Sequence, residues 1–210
     1  MPVPVLPAQP AAPLAPVAIL TGKPSLGAPL STRLKVHNVQ LDVLDGHSAT
    51  VSGALIPALP GRRIVLQLLT PRGWRALAST HTGAQGRYRL RYTPSRTGSE
   101  RVRVRFAGDG GDRGSHRLLG RLNIYRLAGA SWYGGGGGLA CGGSLTSSTL
   151  GVANKTLPCG TLVTLRYGDR KVSVPVVDRG PYVAGREFDL TEATKRALGF
   201  GDTGVVWSTR

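Results

Sequence analysis

Two short stretches, RYRLRY at 87–92 and RVRVRF at 101–106, put arginine at every odd position and an apolar side chain at every even one. Only an extended strand sends successive side chains to opposite faces, so this period of two commits the region to a sheet with one dry and one wet face. The same alternation recurs at 34–44, 49–55, 62–69, 74–80 and 122–127. Between these runs lie Pro60-Gly61, Pro71-Arg72-Gly73, residues 83–86 and residues 108–114, where antiparallel strands would reverse. Seven short strands with such punctuation predict an immunoglobulin-like β-sandwich over residues 33–128. Thirty glycines and fifteen prolines argue against an all-helical fold and for strands and turns throughout.

The preceding segment, residues 1–32, holds eight prolines and a single charge, Lys23. Proline at that density favours extended polyproline segments, so this stretch reads as a linker rather than a domain. It shows no basic leader followed by an unbroken apolar run, so no secretory signal is legible in it. Nowhere does the chain approach the roughly 18–20 consecutive apolar residues of a membrane span.

Charge separates the two halves. Residues 1–128 carry 18 basic and 5 acidic side chains, against 9 and 6 in residues 129–210, out of a formal net charge of +16. A basic sandwich suits an acidic polymer, teichoic acid or DNA, or the arginine stripes are a solvated face that resists edge-to-edge pairing. The sequence leaves both open. Specific nucleic-acid recognition lacks support: no helix-turn-helix, zinc-finger or RNP-like pattern accompanies the charge.

From residue 129 the composition changes to SWYG at 131–134, a glycine run and short valine-rich strands at 161–167 and 171–177 around Gly168-Asp169-Arg170. Helical spacing occurs at 191–198, with Thr191 as N-cap and Gly199 as the stop, before a last strand at 203–208. The run Gly134–Gly138 is not followed by Lys-Ser/Thr and is no phosphate loop; it suits a rim that a glycan can approach. Cys141 and Cys159 are the only cysteines and lack the partners a zinc site needs. A disulfide is the reading, in an oxidising compartment outside the cytoplasm, with two buried thiols as the alternative. Neither a metal nor an organic cofactor is expected, and the chain is expected to be monomeric.

Acid–base chemistry needs a carboxyl group in a partly desolvated cleft, and Asp178 and Asp189 are the candidates. Asp178 ends the apolar strand VSVPVV and enters a turn that would hold it at a barrel rim; Asp189 either faces the same groove or caps the helix. Trp132 and Tyr133 can stack on sugar rings or pack in the core.

The order SWYG (131–134), NKTLPCGT (154–161), VVDRGPY (176–182) and REFDLT (186–191) resembles the rare lipoprotein A (RlpA) lytic transglycosylases. The two cysteines are similar instead to the barwin and expansin branch of the same barrel. The resemblance implies an all-β, six-stranded double-psi β-barrel with one short helix over residues 129–210. It also implies an exported protein acting on peptidoglycan glycan strands. Asp178 would serve as acid and base, with Asp189 beside it, and Trp132, Tyr133, Asn154, Arg179 and Tyr182 would contact the substrate. The product would be a 1,6-anhydro muramic acid end. One departure matters: Asn154 stands where the family carries a histidine, and an amide cannot titrate. A non-catalytic, expansin-like module that binds or loosens polysaccharide is therefore the alternative.

Overall fold

The computed structural model describes residues 28–210. The proline-rich stretch lies mostly outside them. Its end is tied down: Leu30 accepts from Arg113 N at 2.8 Å and donates to Gly111 O at 3.2 Å.

The first part forms strands β1 (Arg33–Gln40), β2 (Asp42–Leu44), β3 (Ala49–Ile56), β4 (Arg63–Thr70), β5 (Gly73–His81), β6 (Arg87–Tyr92) and β7 (Gly98–Gly108), then β8 (Arg113–Tyr133). One sheet has the order β1-β3-β6, the other β5-β4-β7-β8, with β2 parallel to β8. The arginine-bearing strands behave as their alternation requires. Tyr88 and Leu90 of β6, and Val102, Val104 and Phe106 of β7, enter a shared core with Leu55, Ile64 and Leu66, while Arg87, Arg89, Arg91, Arg101 and Arg105 stay exposed.

The second part contains β9 (Gly137–Gly138), β10 (Ser144–Leu145), β11 (Val152–Ala153), β12 (Leu162–Tyr167), β13 (Arg170–Asp178), β14 (Phe188–Thr191), α1 (Glu192–Leu198) and β15 (Thr203–Ser208). Strands β14-β11-β13-β12-β15-β8 pair in that order, and β14 pairs again with β8, closing a six-stranded barrel. Two of its pairings, β11–β13 and β14–β8, are parallel. Closure removes every free edge from so small a sheet. Its core is Phe188, Leu190, Val163, Leu165, Val174, Val176 and Val206. Thr191 caps α1 by accepting from Thr194 N, and Gly199 ends it in the left-handed conformation.

Strand β8 does not stop where the alternation ends near Leu127. It pairs with β7 and β2 up to Tyr125, then changes partners and pairs with β15 from Arg126 and with β14 from Ala130. One strand thus serves both cores. Leu122, Asn123, Ile124 and Tyr125 are all buried at the crossover, which breaks the period of two exactly where a strand is covered on both faces.

Asp42 clamps this junction. Its carboxylate accepts from Asn123 Nδ2 at 2.7 Å, Tyr125 Oη at 2.9 Å and, from the barrel, Lys171 Nζ at 2.7 Å. Burial pushes its pKa up, but these three donors outweigh burial and bring it below the ordinary value of 3.8. Its contribution is therefore present above that value and fades as pH falls through the lower folded one. Asp42→Ala strands two buried donors and is expected to cost about 2–4 kcal/mol in urea unfolding at neutral pH. A change under about 0.5 kcal/mol would show that the clamp contributes nothing.

Candidate active site

The barrel's pairing register gathers the candidate carboxylates. Ala153 of β11 lies opposite Asp178 on one side and Asp189 on the other. Asp189 in turn pairs with Ser131 of β8. Two strand spacings separate Asp178 from Asp189, roughly 10 Å between backbones. Phe188 and Leu190 point into the barrel core, so Asp189 between them points out.

Each carboxylate is held differently. Asp178 Oδ1 accepts from two main-chain donors, Ala140 N at 2.9 Å and Arg179 N at 2.8 Å. Asp189 Oδ1 accepts from Ser131 Oγ at 2.8 Å. Burial raises the pKa of Asp189 above its usual value and the Asp178 charge adds to this, while Ser131 and Arg186 pull the other way. Asp189 does not cap the helix, because Thr191 occupies that position.

Tyr133 completes the group. Alternation along β8 sets it on the face of Ser131, and its hydroxyl is buried with no well-formed hydrogen bond among the described residues. Burial, then the neighbouring Asp178 charge and the approach of the hydroxyl to the Asp178 carboxylate, with the Asp189 charge adding to them, raise its pKa and keep it a neutral phenol. A buried hydroxyl without a well-formed hydrogen bond is costly, and one beside the Asp178 carboxylate has a proton to give.

The other expected contact residues are placed otherwise. Trp132 faces away from Tyr133, as adjacent residues of a strand must; Nε1 donates to Asp202 at 2.9 Å and Lys195 Nζ lies 3.7 Å from its ring centroid. The indole, 36% exposed, belongs to a Trp132–Asp202–Lys195 cluster instead of the carboxylate face. Asn154 is 4% exposed and braces a loop: Oδ1 accepts from Thr156 N at 3.0 Å and Leu157 N at 2.8 Å, while Nδ2 donates to Glu187 O at 3.1 Å. Its amide is spent on backbone and leaves little for a sugar hydroxyl. Arg179 likewise donates to Asn154 O at 3.1 Å and Leu157 O at 2.9 Å, and Nη2 lies 3.1 Å from Cys159 Sγ. Tyr182, at 79% exposed, remains open to a ligand, with Lys155 Nζ 6.0 Å from its ring centroid.

The rim is covalently closed. Cys141 and Cys159 form a disulfide, and the β9–β10 hairpin lies beside it. Cys141 N donates to Val177 O at 3.1 Å, which seats Ala140 N over Asp178. Ser131, Arg186 and the Ala140 amide escaped sequence reading, because only the pairing of β8 with β14 and the rim loop brings them here. Among the described residues, no three His, Cys, Asp or Glu side chains gather closely enough to hold a metal ion. No helix there is long and apolar enough to cross a membrane.

Residues 127–207 match the family model described as "Lytic transglycolase". The probable endolytic peptidoglycan transglycosylase RlpA of Aquifex aeolicus is 44% identical over 82 residues, 37% of this chain and 36% of its own. Its namesake from Synechocystis sp. is 41% identical over 90 residues, 39% of this chain and 28% of its own. The chain thus spans about a third of the length of these curated relatives. Among solved structures, the Streptomyces papain inhibitor (SPI) is 24% identical with a TM-score of 0.33, over 40% of this chain and 91% of its own. With the closed strand order and four ordered motifs, the sequence match makes residues 127–207 an RlpA-like double-psi β-barrel domain.

Proposed function

We propose that the barrel is a peptidoglycan lytic transglycosylase that cleaves the MurNAc–GlcNAc β-1,4 bond outside the cytoplasm. The observation that carries this reading is the pair Asp178 and Asp189 flanking Ala153, with the buried Tyr133 hydroxyl beside Asp178. The relatives' printed activity and the disulfide support it.

The two carboxylates divide the work. Asp189, whose pKa burial raises above the usual value, donates to the glycosidic oxygen as the C1–O bond breaks. The Asp178 carboxylate, held by two amides, faces the positive charge developing at C1. The C6 hydroxyl of the same muramic acid then attacks C1, and its proton returns to Asp189. No water is consumed, and the acid is regenerated with the 1,6-anhydro ring. This assigns to Asp189 the proton transfer that motif order gave to Asp178. Tyr133 supplies a neutral donor to a substrate oxygen, and Tyr182 an exposed ring for a sugar face.

Incubation of the full chain with sacculi, followed by mass spectrometry for 1,6-anhydromuropeptides, tests the reaction. Sacculus binding without such products would favour the expansin-like alternative, to which the absence of an imidazole at Asn154 lends weight. Tyr133→Phe separates function from stability. Removing a buried hydroxyl that makes no well-formed hydrogen bond should change stability by less than about 1 kcal/mol, while product release falls on the order of tenfold. Full activity in the stable variant would remove Tyr133 from the site.

The first part fits an immunoglobulin-like sandwich. Its sheets β1-β3-β6 and β5-β4-β7-β8, with β2 joining β8 in parallel, support that reading.

A further inference from the structure

The outer face of the β5-β4-β7-β8 sheet carries arginines that its neighbours do not neutralise. Arg101 stands directly opposite Arg121 across the β7–β8 pair. Like charges facing each other across a ladder destabilise it, so this arrangement costs stability that an anion would restore. Two guanidinium groups are already oriented. Arg103 Nε donates to Gln67 Oε1 at 2.9 Å and sits 4.1 Å over the Trp74 ring, and Arg121 Nε donates to Ser99 Oγ at 2.8 Å. Arg101 and Arg105 are exposed and make no ion pair among the described residues.

Two troughs lie on this face. One, of about 410 Å³, is lined by Leu69, Trp74, Arg101, Leu118, Gly120 and Arg121. The other, of about 690 Å³, runs past Arg63, Val65, Gln67, Ala76 and Arg105. Among the described residues Asp109 is the only carboxylate lining either, and Arg62 already engages it at 3.4 Å. From Arg63 to Leu69 along β4 the combined path is about 20 Å long.

We infer that this face binds a linear polyanion of small polyols joined by phosphodiesters, laid along β4 across both troughs. Arg101, Arg103 and Arg105 recur at alternate strand positions, roughly 6.8 Å apart. Consecutive phosphates of an extended polyol-phosphate chain can follow that pitch, and planar guanidinium forks suit phosphate oxygens. The apolar lining is mostly aliphatic, from Leu69, Leu118 and Val65, which fits a polyol backbone. Arg103 covers the face of Trp74, so the stacking platform on which single-stranded nucleic acid relies is taken. The choice of a wall polymer rests on the transglycosylase reading of the barrel; the anion site itself does not.

Titrating the full chain with a fluorescent polyglycerol-phosphate oligomer at several salt concentrations tests the site. The exposed pair Arg101→Gln/Arg105→Gln is compared with Arg89→Gln/Arg91→Gln, which removes the same charge from the opposite sheet. The first pair is expected to weaken binding about tenfold or more and to lower the log–log salt slope by about one per arginine, the second to change affinity less than about twofold. Equal weakening by both pairs would reduce the site to diffuse charge. Tighter binding of a charge-matched oligothymidylate, or no binding of the polyol phosphate, would also overturn it. The assay contains no peptidoglycan and can be run on Asp178→Asn protein, so failure of the cleavage reading leaves its outcome distinct.

Discussion

Asp189→Asn is expected to reduce release of 1,6-anhydromuropeptides from sacculi by on the order of 10²–10⁴-fold, the usual contribution of a general acid. The variant keeps an oxygen to accept from Ser131 Oγ and loses only the titrating proton. Stability should not suffer. A carboxyl whose folded pKa is raised contributes stability below its unfolded pKa and loses it as pH rises through the folded one, so a neutral amide is at least as well tolerated at pH 7. On the proposed mechanism, the same upward shift predicts that activity falls on the alkaline side, as Asp189 gives up its proton. On the same mechanism, Asp178→Asn removes the charge assigned to C1 while its amide oxygen can still accept from Ala140 N and Arg179 N, and should cost on the order of 10²–10³-fold. Product analysis of both variants, with melting curves to confirm folding, decides the roles. If Asp189→Asn keeps its activity and Asp178→Asn loses all of it, a single carboxyl at 178 performs both proton transfers.

Removing the disulfide is expected to produce a large change in stability. The bridge joins residues 18 apart, and closing a loop of that size restricts the unfolded chain by about 3 kcal/mol. For a barrel of this size that corresponds to a fall in Tm of roughly 10–20 °C in Cys141→Ser/Cys159→Ser. The loss reaches the site as well, because Cys141 adjoins the Ala140 amide that holds Asp178 and Arg179 packs against Cys159. Calorimetry of oxidised protein against the double variant measures the effect; a shift under about 3 °C would show that hydrogen bonds alone fix the rim.

Much of this protein could be read locally. The arginine–apolar alternation in β6 and β7, the Gly168-Asp169 turn between β12 and β13, and the Thr191 and Gly199 ends of α1 all follow from interactions within a few residues. The two cysteines and four ordered motifs likewise pointed to a stapled double-psi barrel. What each site residue does could not be read that way. Asn154 and Arg179 belong to quoted motifs but fold into a brace, and Trp132 and Tyr133 are adjacent but face opposite ways.

Residue order along the chain therefore determined which segments are strands, where they turn and which side of the sandwich strands stays dry, because those choices depend on side-chain period and backbone freedom. Tertiary structure alone decided that β8 runs unbroken through two cores, that β14 closes the barrel and that Asp178 and Asp189 meet across Ala153. Strand register is the physical reason. It is set by pairing between residues dozens of positions apart, and a slip of one residue would turn Asp189 into the core and Phe188 out of it.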